Sequence, residues 1–326
     1  MTVMESTRLV EFLEGLAQAD WVEALDELGP SIHPVDREAT RIWFAFWPLD
    51  LHQALSGNPR DAQEMARLMD LEGNWRLEDQ LDTAAGFLYG AHFWVDVKEA
   101  ILRQSEPARS LARTIRDVAA RAAEAAGTSE DLVIGITAVG LMMLRQAGHE
   151  ALARVATRPA KGPLLKNDPA KVMAARRRQS RDGLFTFLRG TDRRWEVRWD
   201  EARGASFRAI NGQDIAMAAA ADEGDYRNLD YRRIDGPVPV ECRVGSCGYC
   251  WVGVLSGREK LSEISAFEKE RLRYFGYDTV NGEDPRPPIR LSCQTQCHGD
   301  VTVSIPPWNG ELNRRHDEGR KKMGLA

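Results

Sequence analysis

The chain is poor in cysteine and has no long hydrophobic run. It has five cysteines in 326 residues, and all of them lie beyond residue 240. Glu5, Glu11 and Glu14 near the start argue against a secretory signal, so disulfides are not expected. The longest apolar run, residues 132–144, is too short to cross a bilayer and predicts a buried helix. We therefore expect a cytoplasmic protein with no membrane span.

Several motifs that would define an enzyme are also absent. No Gly-x-Gly-x-x-Gly follows a predicted strand, and residues 135–140 lack the Lys-Ser/Thr of a phosphate-binding loop. A flavin or NAD(P)H domain within the chain is therefore not expected. No histidine has a glutamate three residues before it, which argues against a carboxylate-bridged di-iron site. His33, His52 and His92 are predicted to be core or surface residues, and a haem ligand among them stays open.

Charge is distributed unevenly along the chain. Residues 1–100 carry a net charge of −12, residues 101–200 carry +8, and the remainder carries −1. This asymmetry favours at least two regions with different surfaces. The basic run at residues 176–178 is short and predicts a solvated segment rather than a nucleic-acid site.

The residues with the clearest chemical meaning are four of the cysteines. Cys242, Cys247 and Cys250 have four and then two residues between them, and Cys293 follows after a gap of forty-two residues. This C-x4-C-x2-C…C spacing is typical of a plant-type [2Fe–2S] cluster held by four thiolates. Glycines at positions 245 and 248 would let the loop approach such a cluster closely.

A zinc site accounts for the motif less well. A structural zinc site usually has two Cys-x2-Cys pairs or adds histidines, and this chain has one such pair. Cys297 is the fifth cysteine and could be an alternative ligand or a reactive thiol. We favour a small packed side chain at Cys297 and assign the four ligands as Cys242, Cys247, Cys250 and Cys293.

The sequence around these cysteines resembles the plant-type ferredoxin family over roughly the last 140 residues. The resemblance rests on the cysteine loop, on Arg-Leu-Ser-Cys-Gln at residues 290–294, and on the closing segment 299–306. It implies a β-hairpin, a short helix, the cluster loop, a strand, a second helix and a final strand. It departs from the family by extra residues at 224–237 and by a long stretch at 257–290.

The first 158 residues predict seven or eight helices and a bundle-like domain. Asp20 is expected to cap a helix over residues 21–28, and residues 75–103 form a long periodic stretch. Residues 128–131 are expected to form a capping box that opens another helix. Aromatic residues at 41–47 and 87–94 predict core packing, with a docking surface as the alternative.

Residues 159–183 are rich in proline and basic residues and predict a linker. From residue 184 the pattern favours strands, at 184–189, 194–199, 205–210 and 251–257. A capping box at residues 265–268 predicts a helix that ends at Gly276. The predicted fold is thus α+β with two domains: helical residues 1–158, a linker at 159–183, a ferredoxin-like β-grasp domain at 184–308 and a polar tail at 309–326.

We expect one-electron transfer through a [2Fe–2S] cluster, with a redox partner protein or enzyme complex as the recipient or source of the electron. Val244, Tyr249 and the neighbouring Trp251 are expected at the surface that meets this partner. Under this hypothesis the helical domain docks the ferredoxin domain onto a larger enzyme. Two alternatives stay open: an oxidoreductase with its active site in the helical domain, and a regulatory protein whose binding follows the cluster's oxidation state.

Overall fold

The chain divides into two compact units. The computed structural model describes residues 7–56, 59–155, 168–180, 193–200, 203–277 and 282–309. The helical unit comprises Met1–His52 and Arg76–Pro169, and the sheet unit comprises Gln53–Trp75 and Ala170–Ala326. A segment from the N-terminal half of the chain thus belongs to the C-terminal unit. The limits of independently folding domains stay a prediction.

The predicted helical character of the N-terminal region is confirmed. Eight α-helices lie in the described residues before position 156: α1 (Thr7–Glu14), α2 (Gln18–Leu28), α3 (Pro34–Phe46), α4 (Leu49–Leu55), α5 (Pro59–Leu68), α6 (Trp94–Leu102), α7 (Leu111–Ala126) and α8 (Asp131–Arg154). Helix α5 begins at its proline, as expected where the missing N–H would have no helical partner. It belongs to the sheet unit.

The long periodic stretch at residues 75–103 does not form one helix. It contains two 3-10 turns, Leu77–Gln80 and Tyr89–Phe93, and only then α6. The periodic apolar residues are nevertheless buried, as Leu77, Leu81 and Leu88 show. The periodicity indicated burial here, while the backbone took another conformation.

Two predicted helix starts are wrong in detail. Asp20 lies inside α2 at its third position, and its carboxylate accepts from the N–H of Ala17 at 2.7 Å. Helix α8 has Glu130 at its N-cap with no side-chain cap, so the predicted capping box does not form. Helix α7 has a side-chain cap that the sequence analysis did not single out, because Ser110 accepts from the N–H of Arg113 at 3.3 Å.

Helix α8 forms the centre of the helical unit and packs against α1, α3, α6 and α7. Every residue from Leu132 to Leu144 is buried. Neighbours approach closely at its glycines, since a Cβ at Gly135 would lie 2.4 Å from Thr40 Oγ1 and one at Gly140 would lie 2.5 Å from Ile101 Cδ1. Among the described residues this is the one helix long and apolar enough to span a membrane, and 72% of its apolar window is buried inside the protein. Its apolar residues are explained by the core.

The sheet unit contains a five-stranded mixed sheet of β2 (Arg194–Asp200), β3 (Ala205–Ile210), β4 (Trp251–Ser256), β5 (Ile289–Leu291) and β6 (Val301–Ser304). The strand order is β3-β2-β6-β4-β5. The predicted hairpin is confirmed, because β2 and β3 pair antiparallel. Strand β6 runs parallel to β2 and antiparallel to β4, which in turn pairs antiparallel with β5. Valines at 197, 254 and 301 are fully buried on this sheet.

The remaining elements complete the unit. They are α9 (Pro169–Ser180), α10 (Ile215–Ala220), α11 (Ala266–Phe275) and a two-stranded sheet of β1 (Glu72–Gly73) with β7 (Trp308–Asn309). Helix α11 is capped by Ser265 and ends at Gly276, as predicted. Helix α9 lies within the predicted linker, because Pro169 starts a helix instead of breaking one. The predicted strand at 184–189 and the tail beyond 309 lie outside the described residues.

Candidate metal centre

The loop from Cys242 to Cys250 lies between the short helix α10 and strand β4. Three of its residues have positive φ: Arg243 at 57°, Gly245 at 79° and Gly248 at 71°. Glycine is required at the last two for space as well, since a Cβ at Gly245 would lie 2.9 Å from the Phe267 ring and one at Gly248 would lie 2.4 Å from the Phe275 ring. The glycines predicted to shape the loop therefore do so against helix α11.

The structure brings the four predicted ligand cysteines together as two pairs. In the first pair the thiol of Cys247 donates to the sulfur of Cys242, and the N–H of Cys247 lies 3.4 Å from that sulfur. In the second pair the thiol of Cys250 donates to the sulfur of Cys293. Cys250 and Cys293 are buried, while Cys242 and Cys247 are partly exposed.

Backbone and hydroxyl donors surround these sulfurs. Burial raises the pKa of the Cys242 thiol, but hydrogen bonds from Ser246 and from the N–H groups of Val244 and Cys247 outweigh it and lower the pKa to about 6. The hydrogen bond from Cys250 lowers the pKa of Cys293, to which Gly245 also donates its N–H. The loop therefore provides donors for the sulfurs of Cys242 and Cys293, as thiolate ligands require. Burial raises the pKa of Cys247 to about 12, and the hydrogen bond to Cys293 raises that of Cys250.

Cys293 is positioned by a buried ion pair. It lies in a 3-10 turn directly after β5, where the N–H of Ser292 donates to the carbonyl of Cys250 at 2.9 Å. Arg290 donates to both carboxylate oxygens of Glu268 at 2.9 Å, and both side chains are fully buried. Glu268 also accepts from the N–H of Leu291 at 2.9 Å. Helix α11 is thus fastened to the strand that leads into Cys293.

Helix α11 also contacts the cysteine loop directly. Arg271 donates to the carbonyl of Ser246 at 2.5 Å, and its guanidinium lies 4.5 Å from the ring centre of Tyr274 and 5.1 Å from that of Phe275. Phe275 in turn meets the ring of Trp251 edge-on at 5.3 Å. One face of the helix therefore covers the loop.

Cys297 lies away from the cysteine pairs in the core of the sheet. It is fully buried among the valines of the sheet core, and its thiol donates to the carbonyl of Gly299 at 3.0 Å. Burial raises its pKa to about 11. This is the environment of a packed, neutral thiol.

Sequence reasoning missed three of the groups that hold this site. The sequence indicates Glu268 only as the acidic residue of a capping box, although its carboxylate pairs with Arg290. Arg271 and Asn309 carry no motif, and Asn309 donates its side-chain amide to the carbonyl of Tyr249 inside the loop. The contacts of Arg271 and Asn309 join positions 25 and 60 residues apart in the sequence, so no local pattern could reveal them.

The donor set fits a binuclear iron–sulfur cluster. Among the described residues no three histidine, cysteine or carboxylate side chains surround a single metal position. A [2Fe–2S] cluster does not need such a group, because each iron takes two protein thiolates and two bridging sulfides complete its coordination. Two neighbouring thiol pairs, formed by the N–H-rich loop and the turn that carries Cys293, match that requirement.

Comparison with known proteins agrees with this arrangement. Residues 209–298 match the family of 2Fe-2S iron-sulfur cluster binding domains, and the N-terminal region matches no family. The matched range begins near the end of β3 and includes all five cysteines. The sheet unit therefore contains a 2Fe-2S iron–sulfur domain, which binds a [2Fe–2S] cluster and supports electron transfer. No curated protein and no solved structure matches the chain.

Proposed function

We propose that this protein is the ferredoxin subunit, or the dedicated electron-transfer partner, of a larger redox enzyme. The observation that carries the proposal is the pairing of Cys242 with Cys247 and of Cys250 with Cys293 on one loop and one adjoining turn. Under this proposal each pair holds one iron. The cluster supplies reversible uptake of one electron, and the protein supplies thiolates, N–H donors and burial.

The surface beside the loop supports an exchange of electrons with another protein. Val244 is 63% exposed and Phe267 is 45% exposed, and the Phe267 ring lies against Gly245 of the loop. Exposed apolar and aromatic groups beside the loop suit the core of a protein–protein interface, where charged groups would be costly to desolvate. Trp251, which was expected at this surface, is instead fully buried beneath the loop.

We further propose that the helical unit docks the protein onto its partner in the cytoplasm. The tryptophans at 43, 47 and 94 are buried in that unit, so the aromatic stretches pack its core and do not provide the docking surface. The net negative charge of the first hundred residues, most of which lie in the helical unit, favours a basic surface on the partner. A second contact of this kind raises the local concentration of the loop at its target without adding contacts at the cluster.

The ligand assignment is tested by replacing each cysteine with alanine in the full chain. Replacing Cys242, Cys247, Cys250 or Cys293 is expected to abolish the cluster, because one iron then lacks a thiolate. Cys297→Ala is the matched control and should keep the iron content, the visible absorption and the reduced-state EPR signal. A cluster that survives Cys293→Ala but is lost in Cys297→Ala would overturn the assignment.

The docking role is tested by isolating the tagged full chain from its native cells. We expect a redox enzyme to co-purify at low salt and to be released as the ionic strength rises, because exposed charges are screened. The isolated complex should transfer electrons to the cluster without added mediators. Recovery of the chain alone at low salt, with electron transfer only at high concentration, would argue for a diffusible carrier instead.

A further inference from the structure

Strand β1 comes from the N-terminal half of the chain but pairs with the last described strand of the sheet unit. Glu72 pairs with Asn309 and Gly73 pairs with Trp308 in antiparallel register. The N–H of Asn74 extends the ladder by donating to the carbonyl of Pro307 at 2.8 Å. Residues 72–74 thus bind residues 307–309, which follow β6.

A loop from the extra stretch at 224–237 closes over this pairing. Gly73 has φ +91° and donates its N–H to the Tyr231 hydroxyl at 2.8 Å. A Cβ at Gly73 would lie 2.5 Å from the carbonyl oxygen of Pro307 and 2.8 Å from Arg232 Nε. The side chain of Arg232 is fully buried and donates to the carbonyl of Pro306 at 2.9 Å. We call residues 72–74, 231–232 and 306–309 the clasp.

The clasp reaches the cysteine loop through one side chain. Asn309 is fully buried, and its amide donates to the carbonyl of Tyr249, which lies between Cys247 and Cys250. Because the peptide between Tyr249 and Cys250 is planar and trans, fixing its carbonyl toward Asn309 turns the N–H of Cys250 the opposite way. The orientation of peptide dipoles beside the sulfurs is one of the levers that set a cluster's potential.

We infer that Asn309 is a positioning residue for the cluster, and that the N-terminal segment 72–74 holds it in place through the clasp. The inference rests on the proposed ligand set. It assigns the segment around β1 a role in the electron-transfer unit, although this segment lies well outside the range that matches the iron–sulfur family.

The test uses the full chain loaded with its cluster. Asn309→Ala should release iron to a ferrous chelator about tenfold faster, the effect expected when a buried carbonyl loses its donor. It should also shift the reduction potential and change the visible circular dichroism. Glu72→Gln is the control on the paired strand, because the Glu72 side chain is exposed and only its backbone takes part in the pairing.

A second variant, Gly73→Ala, loosens the clasp without altering the cysteine loop, and Gly282→Ala is its control. Gly73→Ala adds a methyl group where there is no room, whereas Gly282→Ala adds one at another positive-φ glycine, with φ +52°, where nothing lies within 4 Å. Gly73→Ala should speed iron release and shift the potential in the same direction as Asn309→Ala, and Gly282→Ala should do neither. If Asn309→Ala does not accumulate as folded protein, Tyr231→Phe, which removes only the exposed acceptor of the Gly73 N–H, takes its place.

Iron release within twofold of the unaltered protein in Asn309→Ala and Gly73→Ala would overturn the inference. Faster release with unchanged potential and circular dichroism would also overturn it, since the clasp would then be only a structural support. The cysteine variants separate this failure from failure of the proposed function. If they lose the cluster while the clasp variants behave normally, the ligand assignment is supported and the positioning role of the clasp is rejected.

Discussion

The helical and sheet units hold their buried polar groups in different ways. In the helical unit the buried carboxylate of Asp36 binds a backbone turn, because it accepts from the N–H groups of Tyr89 and Gly90 at 2.6 Å. In the sheet unit buried arginines fasten loops and strands, as Arg290 does with Glu268 and Arg232 does with Pro306. Both units have an apolar core, and in the sheet unit buried arginines also fix the positions of loops and strands near the cysteines.

This difference has a functional meaning. A close-packed apolar core draws its stability from many small contacts, so a substitution that crowds it lowers the stability of that core. Under the proposed ligand set, the cysteine loop must hold three sulfurs at fixed positions relative to Cys293 in the adjoining turn. Each contact that orients the loop therefore affects the bound cluster. We therefore expect substitutions of similar size to act on stability in the helical unit and on the cluster in the sheet unit.

The largest expected effect comes from breaking the buried ion pair of the sheet unit. Glu268→Ala leaves Arg290 charged, buried and unpaired, which typically costs about 3–5 kcal/mol. It also removes the acceptor of the Leu291 N–H. We expect the variant to lose iron during purification or to melt at a much lower temperature by visible absorption.

The matched control is Glu263→Gln, because Glu263 is largely exposed and lies 3.2 Å from Arg286 in the same unit. Its effect on unfolding free energy should be within about 1 kcal/mol. A loss of similar size in both variants would show that burial of the Glu268–Arg290 pair does not decide its importance.

A smaller effect is expected from crowding the core of the helical unit. Gly140→Ala places a methyl group 2.5 Å from Ile101 Cδ1 and 2.9 Å from the Trp94 ring, so the neighbours must shift at a cost of about 1–3 kcal/mol. Far-UV circular dichroism should report the loss in a denaturant titration, while the visible spectrum of the cluster stays unchanged. Gly29→Ala is the control, since a Cβ there meets nothing within 4 Å. A changed cluster spectrum in Gly140→Ala alone would break the proposed contrast between the units.

The smallest effect concerns pH. Burial, with a further contribution from the positive charge of Arg145, lowers the pKa of His52 to about 4. The folded helical unit therefore favours neutral His52. The associated stability is fully present above the unfolded pKa of about 6.5 and is lost as the pH falls toward 4. Because His52 is only partly buried, we expect a loss of about 1–2 kcal/mol.

The measurement is the unfolding free energy from far-UV circular dichroism at several pH values between 7 and 4. His52→Gln should show a shallower fall in stability over this range, because it has no proton to gain. Parallel curves for the two proteins would show that other groups cause the acid sensitivity of the helical unit.

The sequence by itself determined the class of this protein. The spacing of Cys242, Cys247, Cys250 and Cys293 identified the iron–sulfur domain, since ligand spacing follows from the size and chemistry of the cluster. Alternating apolar residues located the strands β2, β3 and β4, and Gly276 marked the end of α11. These signals are local, and local backbone chemistry is enough to produce them.

Only the tertiary structure decided what holds the site. Periodic apolar residues at 75–103 predicted burial but not the 3-10 turns that carry them, because burial constrains the side chains and not the backbone path. The partner of Glu268, the contact of Asn309 with the loop, and the pairing of β1 with β7 all join distant positions. Such contacts form because the folded chain brings buried donors to acceptors that would otherwise be unsatisfied. The N-terminal segment 53–75 thus belongs to the iron–sulfur unit through long-range contacts such as the β1–β7 pairing, which no local sequence pattern predicts.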